Sequence, residues 1–313
     1  MQRLTDDRGA VGVMVALLMI PLIGFAAIAI DVSGMWVQRQ QLQTGADAGA
    51  LAIAQNCAAL RPECASAGTS AQVMSAANVN SGPSTALVTT LTSSKVTVKN
   101  SGVRDNLFAP ILGHDQTPIS ASATAEWGAP VKGTSLLPLA FSYCEFKQQT
   151  GGGLPSATTA TTIFFTKTSG VLGCTNQSGN LTPGGFAWLN NDPGTCHSTS
   201  AIGGIVSVST GNSVPTGCSA ADIAAALNKT VLLPLFDQAG GTGANATYRI
   251  YGYAAFTLTG YNFGGQYKST PAPCGGNERC VRGYFVKYVD ISDAFAYGFG
   301  GPALGSNVVT LTK

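Results

Sequence analysis

Hydrophobic and polar positions along the chain first predict one long helix. Residues 9–30 carry no charged side chain, and at about 1.5 Å rise per residue they would span roughly 33 Å, enough to cross a bilayer core of about 30 Å. After Asp31, apolar residues recur at three- and four-residue steps, the period of one helix face. These positions are Leu42, Ala46, Ala50, Ile53 and Cys57. We therefore predict a transmembrane helix over 9–30 that continues as an extracytoplasmic helix over 31–60.

The charges around this apolar run predict its orientation. Arg3 and Arg8 precede the run, and Arg39 is the only basic residue shortly after it. Basic residues stay on the cytoplasmic side of a membrane. We therefore expect a single-pass protein of the cell membrane, with residues 1–8 in the cytoplasm and the bulk of the chain outside it. The alternative is a cleaved signal peptide, for which "FAAIA" offers a cleavage site near Ala29.

Residues 61–130 predict a small α+β module. The stretch after Ala59 contains Pro62 and Pro83 and is interpreted as a disulfide-pinned turn followed by a connector. "SKVTVK" and "ISASATAEW" alternate as strands do, and "RDNLFAPILG" between them predicts a helical turn ended by Gly113. The apolar alternation of the second strand falls at Ile119, Ala121, Ala123, Ala125 and Trp127.

Residues 131–313 predict a larger β-rich domain, a sandwich or barrel-like fold of short strands between Gly-, Pro- and Asn-rich turns. Residues 248–258 alternate as in a half-buried strand, and "GYFVKYVDI" predicts another. "CSAADIAAALN" predicts a helix with Ser219 as its N-cap. The fold class is therefore α+β, with an N-terminal membrane helix.

The eight cysteines all follow the apolar run, which favours four disulfides in an oxidising exterior. Eight cysteines allow 105 pairings, so we take neighbour pairing as the minimal hypothesis. That hypothesis gives Cys57–Cys64, Cys144–Cys174, Cys196–Cys218 and Cys274–Cys280. Zinc is the rival interpretation, but no pair has the spacing of two to four intervening residues that zinc sites use.

Composition argues against enzymatic and nucleic-acid-binding functions. The net charge is +2 and 10% of residues are charged, so no basic patch for nucleic acid is expected. The chain has two histidines, His114 and His197, and His197 lies near Asp192 and several serines. Nothing resembles a nucleophile elbow, and the Gly-rich stretches lack the Lys-Ser/Thr of a phosphate loop. We expect no catalytic residue, cofactor or metal.

Asp31 has two interpretations. Asp31-Val-Ser33 resembles the start of the Asp-x-Ser-x-Ser metal loop of von Willebrand A-type domains, but Met35 stands where the last serine belongs, and a membrane span replaces the preceding strand. We therefore interpret Asp31 as a hydrated carboxylate at the outer membrane boundary. Arg8 marks the inner boundary, and Trp36 falls at interface depth.

The aromatic residues of the β-rich domain also leave two interpretations open. Exposed rings would stack on sugars, whereas buried rings would serve core packing or strand pairing. The residues concerned are Trp188, Tyr251, Tyr253 and Tyr261.

The N-terminal motifs resemble a known family. Residues 6–54 begin with acid-Arg-Gly, continue through an apolar span with Pro21 to Asp31-Val, and end in "RQQLQ" and "ADAGALA". This order resembles TadE/TadG-like proteins of the Flp (tight adherence) pilus machinery. Later stretches such as "FAPILG" and "GYFVKYV" resemble the longer actinobacterial TadG-like proteins more weakly.

The resemblance implies a membrane-anchored, non-enzymatic component of Flp pilus assembly. Its partners would be the membrane and other pilus-assembly proteins, which would contact the transmembrane and adjoining helix. Processed pilins carry a glutamate at the fifth residue after the cleaved glycine; after Gly9 that position is Met14, which argues against a polymerising pilin. The alternative function is an anchored surface adhesin or carbohydrate-binding module that contacts a surface glycan or host.

Overall fold

The structure is a computed structural model that describes residues 8–156, 158–165, 186–207, 213–240, 246–290 and 298–312. The chain forms two compact units. Among these residues, unit 1 comprises 8–57, 62–125 and 311–312, and unit 2 comprises 58–61 and the described part of 126–310. The α+β class, the long N-terminal helix and the strand-rich, disulfide-bonded sheets that follow it are confirmed.

Unit 1 is built on helix α1 and three neighbouring strands of a sheet. The sheet order is β1-β2-β3, with β1 and β2 antiparallel. The elements in chain order are α1 (Arg8–Ala58), a 3-10 turn (Pro62–Ser66), α2 (Ala67–Asn78), β1 (Ser84–Leu91), β2 (Lys95–Asp105), a second 3-10 turn (Ala109–Leu112) and β3 (Gln116–Gly128).

The predicted helix face packs into the core of unit 1. Its five members, Leu42, Ala46, Ala50, Ile53 and Cys57, are all buried. Two glycines on the same side let neighbouring backbone come close. A Cβ at Gly45 would lie 2.8 Å from Nδ2 of Asn100, and one at Gly49 would lie 3.4 Å from Cα of Ala71.

Buried Asn100 connects three elements of this core. Its Nδ2 donates to the backbone carbonyl of Leu42 on α1 at 3.2 Å. Its Oδ1 accepts the hydroxyl of Ser75 on α2 at 2.7 Å. A buried amide is tolerated here because both of its ends are hydrogen-bonded.

The connector predicted after Ala59 is wrong, because that stretch contains helix α2 and strand β1. The buried face of α2 consists of Ala67, Ala71 and Ser75, at helical spacing. Small side chains carry little hydrophobic signal, but they allow α2 to approach Gly45 and Gly49 of α1 closely.

Unit 2 is dominated by an eight-stranded sheet. The strand order is β6-β13-β11-β10-β5-β7, and β9 and β12 also pair with β11. Strands β10 and β11 form a long antiparallel pair, and β10 runs parallel to β5. The strands of this sheet are β5 (Leu139–Ser142), β6 (Thr161–Phe164), β7 (Phe186–Trp188), β9 (Ile205–Ser207), β10 (Thr230–Gly240), β11 (Thr247–Gly264), β12 (Tyr267–Lys268) and β13 (Cys280–Val286).

The smaller elements of unit 2 complete the domain. They are the antiparallel pair β4 (Lys132–Ser135) and β8 (Ser198–Ala201), the parallel pair β14 (Tyr288–Asp290) and β15 (Ser306–Thr312), and the helices α3 (Tyr143–Thr150) and α4 (Ala220–Ala225). The predicted N-cap of α4 is confirmed: Ser219 and Asp222 form a reciprocal capping box. The core includes Phe141, whose ring centroid lies 4.7 Å from that of Phe256 and 5.5 Å from that of Phe285.

Candidate functional site

Helix α1 has two parts that differ in how exposed their side chains are. From residue 12 to residue 30 almost every position is exposed, including Leu17 at 65%, Ile20 at 73% and Phe25 at 71%. The most apolar 18-residue window has a mean hydropathy of 2.8, none of it buried, so this helix is long and apolar enough to anchor the chain in a membrane. So much exposed apolar surface is stable only when lipid or another protein covers it.

The surface of α1 changes at Asp31, which is 6% exposed. From there the buried positions recur along one face, continuing through Gln38 and Leu42. Asp31 is therefore the first buried residue of the stripe that packs into unit 1.

Three backbone N–H groups surround the Asp31 carboxylate. Oδ1 accepts the N–H of Leu107 at 2.8 Å, and Oδ2 accepts those of Phe108 at 3.0 Å and Ala109 at 2.8 Å. These donors lie at the start of the 3-10 turn Ala109–Leu112, where backbone N–H groups lack partners within the turn. Asp31 thus caps this turn from α1.

The Asp31 carboxylate is not hydrated as expected, because its oxygens accept these N–H groups, while its place at the outer membrane boundary stays a prediction. Trp36 is 63% exposed, and its interface depth stays a prediction. Arg8 begins α1, but its side chain lies outside the described residues, as do residues 1–7.

Asn106 closes the loop that Asp31 caps. Its backbone N–H donates to the carbonyl of Asp115 at 2.9 Å. Its side-chain Nδ2 donates to the carbonyl of His114 at 2.9 Å and to Oγ1 of Thr117 at 3.0 Å. Gly113 ends the turn in the left-handed conformation at φ 83°, as the sequence predicted. We call residues 107–113 the capped loop.

Strand β2 returns along α1 on the way to the capped loop. Nε2 of Gln38 donates to the carbonyl of Val103 at 3.4 Å. One turn nearer the loop, the Arg104 guanidinium lies so close to Gly34 that a Cβ at Gly34 would overlap it. A side chain at position 34 would therefore displace Arg104 or β2.

An apolar groove runs between α1 and the capped loop. Its volume is about 380 Å³, and its lining is mostly apolar, with Asp31, Asn106, His114 and Thr117 also contributing. Gly24, Ala27 and Ile28 contribute the helix side, while Phe108 and Ile111 contribute the loop side. The groove thus lies beside the last turns of the apolar run.

Three disulfides coincide with neighbouring pairs that the sequence predicts. They join Cys57 to Cys64, Cys196 to Cys218 and Cys274 to Cys280. The fourth predicted pair, Cys144–Cys174, stays a prediction because Cys174 lies outside the described residues.

The three residues considered for acid–base chemistry are two exposed histidines and an aspartate that is hydrogen-bonded to a threonine. His114 and His197 are exposed. Both oxygens of Asp192 are hydrogen-bonded to Thr199: Oδ2 accepts its hydroxyl at 2.8 Å and Oδ1 its backbone N–H at 3.2 Å.

The aromatic residues considered for sugar stacking mostly belong to the core of unit 2. Trp188 and Tyr253 are each 1% exposed and Tyr261 is 4% exposed. Burial raises the pKa of Tyr253 to about 12. Tyr251 is half-buried and stacks on Tyr143, with 4.3 Å between ring centroids. Core packing, the second interpretation, accounts for the three buried rings.

Helix α1 is similar to a known protein family. Residues 9–56 match the TadE/G-like family of Flp pilus-assembly proteins, which confirms the resemblance of the N-terminal motifs. No curated protein and no solved structure matches the chain. The matched segment covers nearly all of α1 and supports a role related to the Flp pilus.

Proposed function

We propose that this protein is a single-pass, membrane-anchored structural component of Flp pilus assembly, with a cytoplasmic N-terminus and both folded units outside. One observation carries the proposal. The family match at 9–56 coincides with a single continuous helix that is exposed and apolar before Asp31 and buried along one face in unit 1 after it.

The two surfaces of α1 suit a protein that holds a folded unit against a membrane. The part after Asp31 is a structural element of unit 1, so the membrane part and unit 1 are joined by one continuous helix. The exposed apolar part is available to lipid or to the helices of other assembly proteins. Disulfides in both units fit an oxidising compartment outside the cytoplasm.

A non-enzymatic role is part of the same proposal. Its support is the structural use of three carboxylates: Asp31 caps a turn, Asp192 binds Thr199 and Asp222 caps α4. Each of these carboxylates serves local structure.

The test is deletion of the gene in the cell that carries it, followed by counting Flp pili by electron microscopy. We expect pili to be lost and to return with the wild-type chain. Leu17→Arg, in the middle of the apolar run, should fail to restore pili. The variant should also be lost from the membrane fraction, because a charge at the centre of the span opposes insertion. The matched control is Leu87→Arg, an equally exposed leucine on β1. Normal pili without the gene would overturn the proposal.

A topology experiment tests the orientation separately. Reporters that fold only outside the cytoplasm should be active when fused after residue 313 and inactive when fused before residue 1. The reverse pattern would contradict the orientation while leaving the anchor itself in place.

A further inference from the structure

The capped loop exposes several large apolar side chains. Ile111 is 85% exposed, Leu107 is 66% exposed and Phe108 is 39% exposed. These residues lie within five positions of one another on a loop that Asp31 and Asn106 hold by hydrogen bonds. A cluster of exposed apolar side chains indicates a contact surface, because its exposure to water is unfavourable.

The loop lies beside the apolar run of α1, as the groove shows. Phe108 and Ile111 share the groove with Gly24, Ala27 and Ile28. From Gly24 to Asp31 the helix rises only about 10 Å. The loop therefore sits at the depth of the last turns of the run, on the membrane side of the buried stripe.

Polar residues stand at both ends of the capped loop, and one of them, His114, also lines the groove. Asp105, His114 and Asp115 flank the loop and are exposed. Arg104 lies against Gly34, one turn of α1 beyond Asp31. An apolar tip beside polar and charged residues is amphipathic, as segments at a membrane interface are.

We propose that the capped loop enters the outer leaflet of the bilayer beside α1, and that lipid acyl chains fill the groove between them. The inference rests on the proposed function, since the loop reaches lipid only if residues 9–30 span the membrane. Lipid is the occupant that the geometry favours because the groove is continuous with the helix surface that the bilayer must cover. The loop and α1 then form two contacts, which restrict rotation of unit 1 about the helix axis.

The test measures the depth of the loop in a bilayer. Full-length protein is reconstituted in phosphatidylcholine nanodiscs that contain lipids brominated along their acyl chains. A single NBD fluorophore is attached to an introduced cysteine, either Ile111→Cys or Leu107→Cys. Unsubstituted protein, carried through the same labelling, measures the background from the native cysteines.

Two reference positions calibrate the measurement. Leu18→Cys reports the middle of the apolar run, where the side chain is 57% exposed. Leu87→Cys reports a 61% exposed leucine outside the bilayer. Leu87 pairs with Lys99, and the neighbouring Asn100 bonds the Leu42 carbonyl, about 16 Å along α1 beyond Asp31.

We expect bromolipid to quench NBD at Leu18, Ile111 and Leu107, and aqueous iodide to quench it at Leu87 alone. Quenching at Leu18 with Ile111 and Leu107 behaving like Leu87 would overturn this inference and leave the anchor intact. Protection of Ile111 from both quenchers would overturn it in favour of a contact with a second copy of this chain. A lack of bromolipid quenching at Leu18 would instead overturn the proposed anchor, and this inference with it.

Discussion

Oδ2 of Asp31 accepts the backbone N–H of Ala109 at 2.8 Å, which joins residues 78 positions apart in the chain. The same carboxylate binds Leu107 and Phe108, so three consecutive N–H groups depend on one side chain of α1. The hydrogen bonds place the capped loop against the end of the apolar run. Asp31 is therefore the residue through which α1 positions the loop.

The first prediction replaces Asp31 by Asn. An amide has one acceptor oxygen and one donor nitrogen, so at least one of the three N–H groups would face another donor. We expect Asp31→Asn to lower the melting temperature by several degrees in nanodiscs and to speed backbone hydrogen exchange at residues 107–109. The control is Asp115→Asn, the same change at an exposed carboxylate next to the loop. Unchanged exchange at 107–109 would contradict the capping role.

The second prediction compares two glycines on the helices of unit 1. A Cβ at Gly45 would lie 2.8 Å from Nδ2 of Asn100 and 3.2 Å from Cα of Ser75, whereas one at Gly68 meets nothing within 4 Å. Gly45→Ala should destabilise unit 1 by about 1–3 kcal/mol through overpacking. Gly68→Ala should stabilise it by about 0.4–1 kcal/mol, because alanine restricts the unfolded chain.

Chemical denaturation of the full-length protein in nanodiscs measures both changes. The two variants add the same methyl group to helices of one unit, so opposite signs isolate packing from helix propensity. Equal effects would mean that α1 and α2 do not approach as closely as Gly45 requires.

The third prediction concerns the pH dependence of stability in unit 2. Burial raises the pKa of Glu145 above its ordinary value of 4.5, and a hydrogen bond from Gln149 offsets part of that rise. An acid that binds its proton more tightly in the folded state costs stability as pH rises above the unfolded pKa. The cost is complete above the folded pKa, so it is present at neutral pH.

Glu145→Gln should therefore raise the melting temperature at pH 7 and leave it almost unchanged below pH 4.5. The amide oxygen of the new Gln still accepts the hydrogen bond from Gln149. Glu278→Gln, at an exposed side chain of the same unit, controls for the loss of one charge. A lower melting temperature at pH 7 in Glu145→Gln would contradict the argument.

The fourth prediction compares two disulfides of unit 2. Cys196 and Cys218 are 22 positions apart, and Cys274 and Cys280 are 6 apart. The cross-link that closes the longer loop removes more entropy from the unfolded chain. Replacing the first pair by alanines should cost about 3 kcal/mol and replacing the second about 2 kcal/mol.

Denaturation of the two double variants, followed by intrinsic fluorescence, gives both costs. The variant in which both pairs are replaced by alanines is the reference for the combined loss. A larger cost for the Cys274–Cys280 pair would show that native packing around that disulfide, and not loop length, decides its contribution.

Local pattern alone was enough to predict the elements whose signal lies in consecutive residues. The apolar run, the buried face from Leu42 to Cys57, the turn ended by Gly113 and the cap at Ser219 all follow from spacings of a few residues. Helix α2 escaped prediction because its buried face is made of Ala and Ser, whose small side chains matter only against Gly45 and Gly49 of another helix.

The environment of Asp31 was decided by the tertiary structure. Its neighbours in sequence indicate a boundary residue, but its partners are N–H groups 76 to 78 positions away. They reach it because β2 runs back along α1 and ends beside Gly34. Burial of Tyr253 and Tyr261 likewise depends on distant strands that pair with β11 in the sheet. Periodicity is a property of adjacent residues, whereas burial and hydrogen-bond partners depend on how distant segments come together.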